Sequence, residues 1–400
     1  GNTQYTMKLL KVEHKAKLWT KEFSLIISLN LLAYIVTYIL MTTMPLFIQN
    51  LGGNKLMAGL TSSLFTLGGF MARPWIGSLL DSKGRKKILL LGNFLLFMPI
   101  IGYCLVNSPH LLLALRAIQG LAFSAVSTAT LTIAADLIPP VRRYEGIGYF
   151  GVSNAAAMAI GPAIGLYYIE YFDYRSLYTM SALLVIVIVG MGFLVRNDRG
   201  IKKHLPAKSK PVVFEKTALW PSTIYFLISL TAAVIVTFIP SYQISKGIEN
   251  IGLFYVVYAL LLLITRPTTG KIADRMGPTK VILPGMLFIT AAFLILFQAS
   301  SLSMFLWAAA LYGLGMGSVL PALNTLVIIF APSERRGAAN ATFLAANDIG
   351  SALGAMMWGI VAQSMGFGYI YLFSPVFIIL ATLVYLFTLL RKEKEKQTLV

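Results

Sequence analysis

The sequence predicts an all-α polytopic membrane protein with twelve transmembrane helices in two pseudo-symmetric six-helix bundles. Three observations predict it: apolar runs of membrane-spanning length, a one-sided distribution of cations, and an internal repeat at a constant offset. The 400-residue chain is 57% hydrophobic and 12% charged, about half the charged fraction of a soluble domain. No charge interrupts Phe23 to Phe47 or Ser176 to Val195, and about 20 apolar residues in helix cross a bilayer core. Lipid offers no partner to backbone N–H and C=O groups, so a span is a helix or a closed barrel. Runs this long and unbroken exclude barrel strands. The predicted spans are 23–47, 56–80, 87–107, 110–137, 144–168, 175–195, 220–243, 250–270, 279–299, 302–330, 337–364 and 368–390.

The net charge of +18 follows membrane topology better than nucleic-acid binding. Lys8, Lys11, Lys15, Lys17 and Lys21 precede the first span, Lys83, Arg85, Lys86 and Lys87 follow the second, and Arg142 and Arg143 follow the fourth. The stretch between the sixth and seventh spans carries Arg196, Arg199, Lys202, Lys203, Lys208, Lys210 and Lys216. With alternating helices these share a side with Lys271, Arg275, Lys280, Arg335, Arg336, Arg391, Lys392, Lys394 and Lys396, leaving Lys55, Arg175 and Lys246 opposite. The positive-inside rule then puts both termini and the linker in the cytoplasm of a multi-pass inner (plasma) membrane protein. The single cysteine, Cys104, sits in an apolar span and reads as a packed thiol. No cleavable signal peptide is expected, and residues 1–6 read as a non-native leader before Met7.

The offset of 193 residues sets the architecture. It carries Arg73-Pro74, Gly77, Asp81, Gly84 and Lys87 onto Arg266-Pro267, Gly270, Asp274, Gly277 and Lys280. It also carries Gly120 to Gly313, Pro139 to Pro332, Arg142-Arg143 to Arg335-Arg336, Phe150 to Phe343, Asn154 to Asn347 and Gly161 to Gly354. The expected division is a tail 1–22, a bundle 23–195, a basic linker 196–219, a bundle 220–390 and a tail 391–400. Six spans per half give both halves one orientation, related by an axis along the membrane normal, as in one large class of transporters.

The loop after the second span reads Gly77-Ser78-Leu79-Leu80-Asp81-Ser82-Lys83-Gly84-Arg85-Lys86-Lys87. It resembles the signature loop of the major facilitator superfamily, G-x-L-x-D-r-x-G-r-k, departing at the less strict basic position, Ser82. Leu115 to Gly120 contains Arg116, Gln119 and Gly120 and looks like that superfamily's R-x-x-q-G motif. Gly161-Pro162-Ala163-Ile164-Gly165 is similar to the G-P-x-x-G motif of its proton antiporters, with Leu166 where a second glycine is usual. The resemblance implies the major facilitator fold, alternating access, and a proton-coupling role for Arg116. It implies no cofactor, the proton gradient being the driving force.

The residues carry their own physics beside this resemblance. Asp81 ends a helix where the macrodipole is already negative, so it needs a positive partner. The start of the eleventh span after Arg335 and Arg336 is one candidate, and Arg142 and Arg143 are others. With Gly77, Gly84, Arg85 and Asp274 these define an expected cytoplasmic gate. Gly161, Pro162 and Gly165 with neighbouring alanines make the fifth span, like the glycine- and alanine-rich eleventh, an expected interface between halves. Asp348 is the one carboxylate well inside a span and is the expected protonation site, a buried carboxyl being driven toward neutral pH by desolvation. Alternatively it stays ionised as a partner of Arg116 or Arg266, or stays neutral as a hydrogen-bond donor.

Substrate contacts are expected from Asn30, Tyr34 and Tyr38 in the first span and from Arg73, Asn154, Gln243, Tyr255, Tyr258, Arg266, Asn324, Asn347 and Trp358. Arg73 and Arg266 each precede a proline and could instead satisfy a carbonyl that the proline frees. No metal site, nucleophile motif or phosphate loop is present, so an enzyme is not expected. The reading carried forward is a monomeric, proton-coupled exporter of a small organic molecule in a lipid bilayer. Proton-coupled import of an anionic or zwitterionic metabolite and lipid flipping on the same fold are the alternatives.

Overall fold

A computed structural model describes residues 16–196, 214–236, 238–250 and 252–397. The tail 1–15, most of the basic linker (197–213) and the last three residues lie outside the described residues. So do the expectations placed on them: the leader 1–6, the first three tail lysines, and the linker cations from Arg199 to Lys210. No strand occurs among the described residues.

The first half comprises α1 (Lys21–Asn50), α2 (Lys55–Lys83), α3 (Arg85–Leu105), α4 (Pro109–Leu137), α5 (Arg143–Tyr171) and α6 (Tyr174–Leu194). Helix starts follow local chemistry. Thr20 and Asn54 accept the Phe23 and Met57 N–H groups at 3.1 and 2.9 Å, closing orphan donors of the first turn, and Pro109 opens α4 where its missing N–H costs nothing. α2 ends at Gly84, whose φ of 97° favours a residue without Cβ.

The second half comprises a broken seventh span, α7a (Leu219–Ser229), α7b (Ala232–Val236) and α7c (Ile239–Ser245), then α8 (Gly252–Met276), α9 (Thr279–Gln298), α10 (Leu302–Phe330), α11 (Arg336–Met365) and α12 (Phe367–Gln397). Among the described residues, eleven helical segments are long and apolar enough to cross a membrane. α2, at 29 residues, completes the twelve; Thr61, Ser62, Ser63, Thr66 and Arg73 lower its hydropathy. α12 runs past the expected end at 390, because the Lys/Glu-rich continuation is a good helix former.

The continuous helix expected over 220–243 is corrected by the structure. Thr231, Val234, Ile235, Val236 and Thr237 are β-branched, which weakens helix, and Pro240 supplies no N–H to the Val236 carbonyl. Side chains from neighbouring helices take the released carbonyls: Trp358 Nε1 donates to Leu230 O at 2.7 Å, Tyr371 Oη to Val234 O at 3.0 Å, and Tyr255 Oη to Ile235 O and Val236 O at 2.9 and 3.2 Å.

Packing repeats across the halves. α1 packs on α5, α2 on α4, and α3 on α4 and α6; the second half matches with α7a on α11, α8 on α10, and α9 on α10 and α12. Buried apolar side chains form two clusters, one from α1–α6 joined by Ile328, the other from α7a–α12 joined by Tyr144 and Ala155. The halves meet chiefly through two equivalent crossings, α5 on α8 and α11 on α2.

Candidate functional site

At the end of the bundle rich in cations, here the basic end, each half docks a carboxylate on a helix start of the other. Asp81 Oδ1 and Oδ2 accept the Gly337 and Ala338 N–H groups, both at 2.9 Å. Asp274 Oδ1 and Oδ2 accept the Tyr144 and Glu145 N–H groups at 3.0 and 2.9 Å. The first N–H groups of a helix have no intrahelical acceptor, and the dipole there favours an anion, so one contact serves both elements. The 193-residue offset maps every member of one latch onto the other. Gly77 and Gly270 permit the approach: a Cβ on Gly77 would lie 2.6 Å from Ala341 Cβ, and one on Gly270 2.6 Å from Tyr144 O.

The first latch carries extra charge. Arg85 Nη1 donates to Asp81 Oδ1 at 3.1 Å and Leu80 O at 3.0 Å, Nη2 to Ser333 O at 3.2 Å, and Nε to Asp136 at 3.1 Å. Arg336 Nη1 closes on the other Asp136 oxygen at 2.9 Å. Arg142 and Arg143 do not reach Asp81. Arg142 forks onto Glu145 at 2.9 and 2.8 Å beside the second latch. Arg143 begins α5 with its Nε buried and unpartnered, and Arg335 lies 3.6 Å from Glu215. Partner choice follows from chain geometry: Arg85 starts α3 one turn beyond Asp81, whereas Arg142 is anchored by its own helix.

Midway along the helices, Arg73 on α2 meets Asp348 on α11, Nε to Oδ2 at 2.6 Å. Arg73 Nη1 also donates to Ser127 Oγ and Thr128 Oγ1 on α4, both at 3.1 Å. The pair spans the two halves, with side-chain exposures of 8% and 15%. The partner of Asp348 is therefore Arg73, rather than Arg116 or Arg266. Arg266, the repeat equivalent of Arg73, donates Nη1 to the Gly151 carbonyl on α5 while its Nε has no partner. Tyr34, Ser127, Gly151, Asn154, Tyr225, Arg266 and Asn324 are among the lining of a cavity of about 90 Å³ between the halves.

Of the expected substrate residues, the structure brings Tyr34, Asn154, Arg266 and Asn324 to this cavity. Asn30 stands behind the wall, donating to Ser153 Oγ at 2.8 Å and Asn154 Oδ1 at 2.6 Å and accepting from Thr130 at 2.9 Å. Tyr38 packs against Gly161, and Tyr258 against Tyr312 at 5.2 Å between ring centres. Tyr255 and Trp358 cap the broken seventh span, Asn347 accepts from Ser229 at 3.0 Å, and Gln243 is enclosed in α7c with its amide unpartnered. Gly161 and Gly165 face Ile35, Tyr38, Ile39 and Thr43 of α1, with Pro162 inside the unbroken α5. The interface expected of α5 thus lies at its other end, where Gly148 and Gly151 abut Arg266.

Arg116 forms a separate hub in the first half. Nε donates to Thr61 O at 3.1 Å and Nη1 to Gln119 Oε1 at 2.6 Å, which also accepts from Tyr103 Oη at 2.7 Å. Its guanidinium lies 4.7 Å above the Phe65 ring. Sequence reasoning missed Tyr225 and the Ser127/Thr128 pair. The run of hydroxyls at Ser124, Ser127, Thr128, Thr130 and Thr132 in an apolar helix is a signal for the latter; Tyr225 has none.

Two docked six-helix bundles with a cavity between them define a multi-pass membrane transporter. A family model described as Major Facilitator Superfamily matches residues 26–255 and 222–399, and the chain belongs to that superfamily, whose members are transporters and not enzymes. The chain is similar to "Multidrug resistance protein MdtG" of Escherichia fergusonii, 24% identical over 382 residues covering 90% of this chain and 92% of the relative. It is similar to "Staphylopine export protein" of Staphylococcus aureus, 23% identical over 366 residues covering 88% and 92%. The fold matches a solved Major Facilitator Superfamily transporter, FucP, in the outward conformation, with TM-score 0.78, 17% identity, and 93% and 99% of the chains covered.

Proposed function

We propose that this protein exports a small organic molecule in exchange for protons, as a monomer, with its basic end and both termini in the cytoplasm. The Arg73–Asp348 bridge carries the reading, because it joins a titratable carboxylate to the element that must come apart if the halves rock. With Asp348 ionised, the bridge and both latches hold the cytoplasmic side shut, and the cavity is reached from outside. Protonation of Asp348 removes its attraction for Arg73, whose guanidinium stays with Ser127 and Thr128, and α11 is free to move on α2. A ligand bound at the centre when the cytoplasmic side opens then completes the exchange. Arg116 is proposed to tune this coupling by fixing α2 to α4 through Thr61 and Gln119. The staphylopine export protein among the similar sequences supports the direction.

The test uses everted membrane vesicles carrying an imposed pH gradient and a panel of organic cations, anions and zwitterions. An exporter driven by protons collapses the gradient on adding its substrate and accumulates it inside. Asp348→Asn abolishes the gradient-driven accumulation while substrate exchange persists. Accumulation by Asp348→Asn with an unchanged pH profile would contradict the proposal. Co-movement of substrate and proton out of everted vesicles would establish import instead.

A further inference from the structure

We infer that Arg266 is the docking point for an oxyanion, in the first place a carboxylate, on the transported molecule. The inference deepens the transport-site reading and rests on it. The repeat offset carries Arg73 to Arg266 and Ala155 to Asp348. The geometry that gives Arg73 a carboxylate from the opposite half therefore leaves Arg266 opposite a methyl group. Among the described residues its guanidinium donates to the Gly151 carbonyl, and its Nε is enclosed without an acceptor. A cation held at mid-membrane needs an anion or a wet cavity, and no second carboxylate lies within the described spans near it. Arg73 and Asp348 cancel, so the centre carries one uncompensated positive charge.

The surroundings fit an anionic group. Tyr34 and Tyr225 line the same cavity as Arg266 and bring two phenol side chains to its wall. Asn154 and Asn324 add amides to the same wall. A guanidinium with flanking hydroxyls is the donor set that binds carboxylate or phosphate with two parallel hydrogen bonds. The cavity of about 90 Å³ admits such a headgroup and not a whole drug-sized ligand, which needs ~300–1,000 Å³. The docked anion completes at Arg266 the pairing that Asp348 makes at Arg73. A cationic part of the same molecule would reach Asp348 and compete there with the proton, which makes a zwitterion the substrate that couples most tightly.

The experiment is thermal unfolding of the full chain in detergent, titrated with acetate, phosphate and ethylammonium against chloride at matched ionic strength. A ligand that binds only the native state raises the melting temperature saturably. Acetate is expected to do so in the wild type by a few degrees and ethylammonium not at all; a larger effect of phosphate than acetate would place phosphate esters ahead of carboxylates. Arg266→Met and Ala155→Asp, the second supplying the missing carboxylate from the protein, are each expected to abolish the response. Stabilisation by no oxyanion, or an equal response in wild type and Arg266→Met, would overturn the inference even if Ala155→Asp fails to fold. Binding is read without transport, so failure of the export reading in vesicles leaves this result standing, and the converse holds.

Discussion

At the basic end the two halves match residue for residue: Asp81 receives two N–H groups from the start of α11, and Asp274 receives two from the start of α5. Halfway across, the match stops. Arg73 has Asp348, whereas its equivalent Arg266 has a backbone carbonyl; Arg116 has its hub, whereas the equivalent position is Ala309. The latches are geometry common to both halves, a carboxylate and a glycine at one helix end against another helix start. The centre does not keep that symmetry: the first-half arginine is paired by a second-half carboxylate, and the second-half arginine has, among the described residues, no carboxylate from the first half.

Removing one member of the central pair breaks the comparison most severely. Arg73→Met strands a buried carboxylate and is expected to cost ~3–5 kcal/mol in equilibrium unfolding, while the double variant Arg73→Met/Asp348→Leu returns close to wild type or above it. Strictly additive single and double variants would mean the two residues do not interact. The latches sharpen the comparison at the next level. Asp81→Asn weakens charge-assisted hydrogen bonds worth ~1.5–3 kcal/mol and also releases Arg85, which has no counterpart at Pro278. Asp274→Asn is expected to open the basic end less than Asp81→Asn, as read by labelling of a cysteine placed beneath each latch. Equal opening would remove Arg85 from the account.

Smaller effects belong to residues that hold one half together. Trp358→Phe leaves the Leu230 carbonyl unpaired in the broken seventh span, an expected loss of ~1–3 kcal/mol, and Tyr103→Phe removes one bond from the Arg116 hub, ~0.5–1.5 kcal/mol. Neither is expected to change ligand selectivity in the thermal-shift panel; a change would move Trp358 or Tyr103 into the transport path.

The repeat made the latches legible, because Gly77, Asp81 and Gly84 recur at one offset with a fixed chemical need for a partner. The helix dipole gave Asp81 a need for a positive partner and left the start of α11 beside Arg142 and Arg143 as candidates; only the structure selects the first. The partner of Asp348 was not legible. Arg73 lies 275 residues away, and charge complementarity alone permits three arginines. The break at Thr231 hid inside an apolar run, because hydropathy registers composition and not the tertiary contacts that accept stray carbonyls. For the same reason Trp358 and Tyr255 read as lining: a polar tip on an aromatic ring serves a ligand or a backbone carbonyl equally well in sequence. Asn30, Tyr34 and Asn154 were found through helical spacing and the repeat, and they do lie together.

The central claim is that the charge on Asp348 decides which way the halves lean. The direct measurement places spin labels on cysteines substituted for the exposed residues His110 and Ser303, repeat equivalents at the ends opposite the basic one, in a Cys104→Ser background. Their separation is then followed with pH by double electron–electron resonance in wild type and Asp348→Asn. The account predicts that the wild type shifts between two distance populations as pH falls and that Asp348→Asn stays in the low-pH population throughout. A variant that titrates as the wild type does would contradict it.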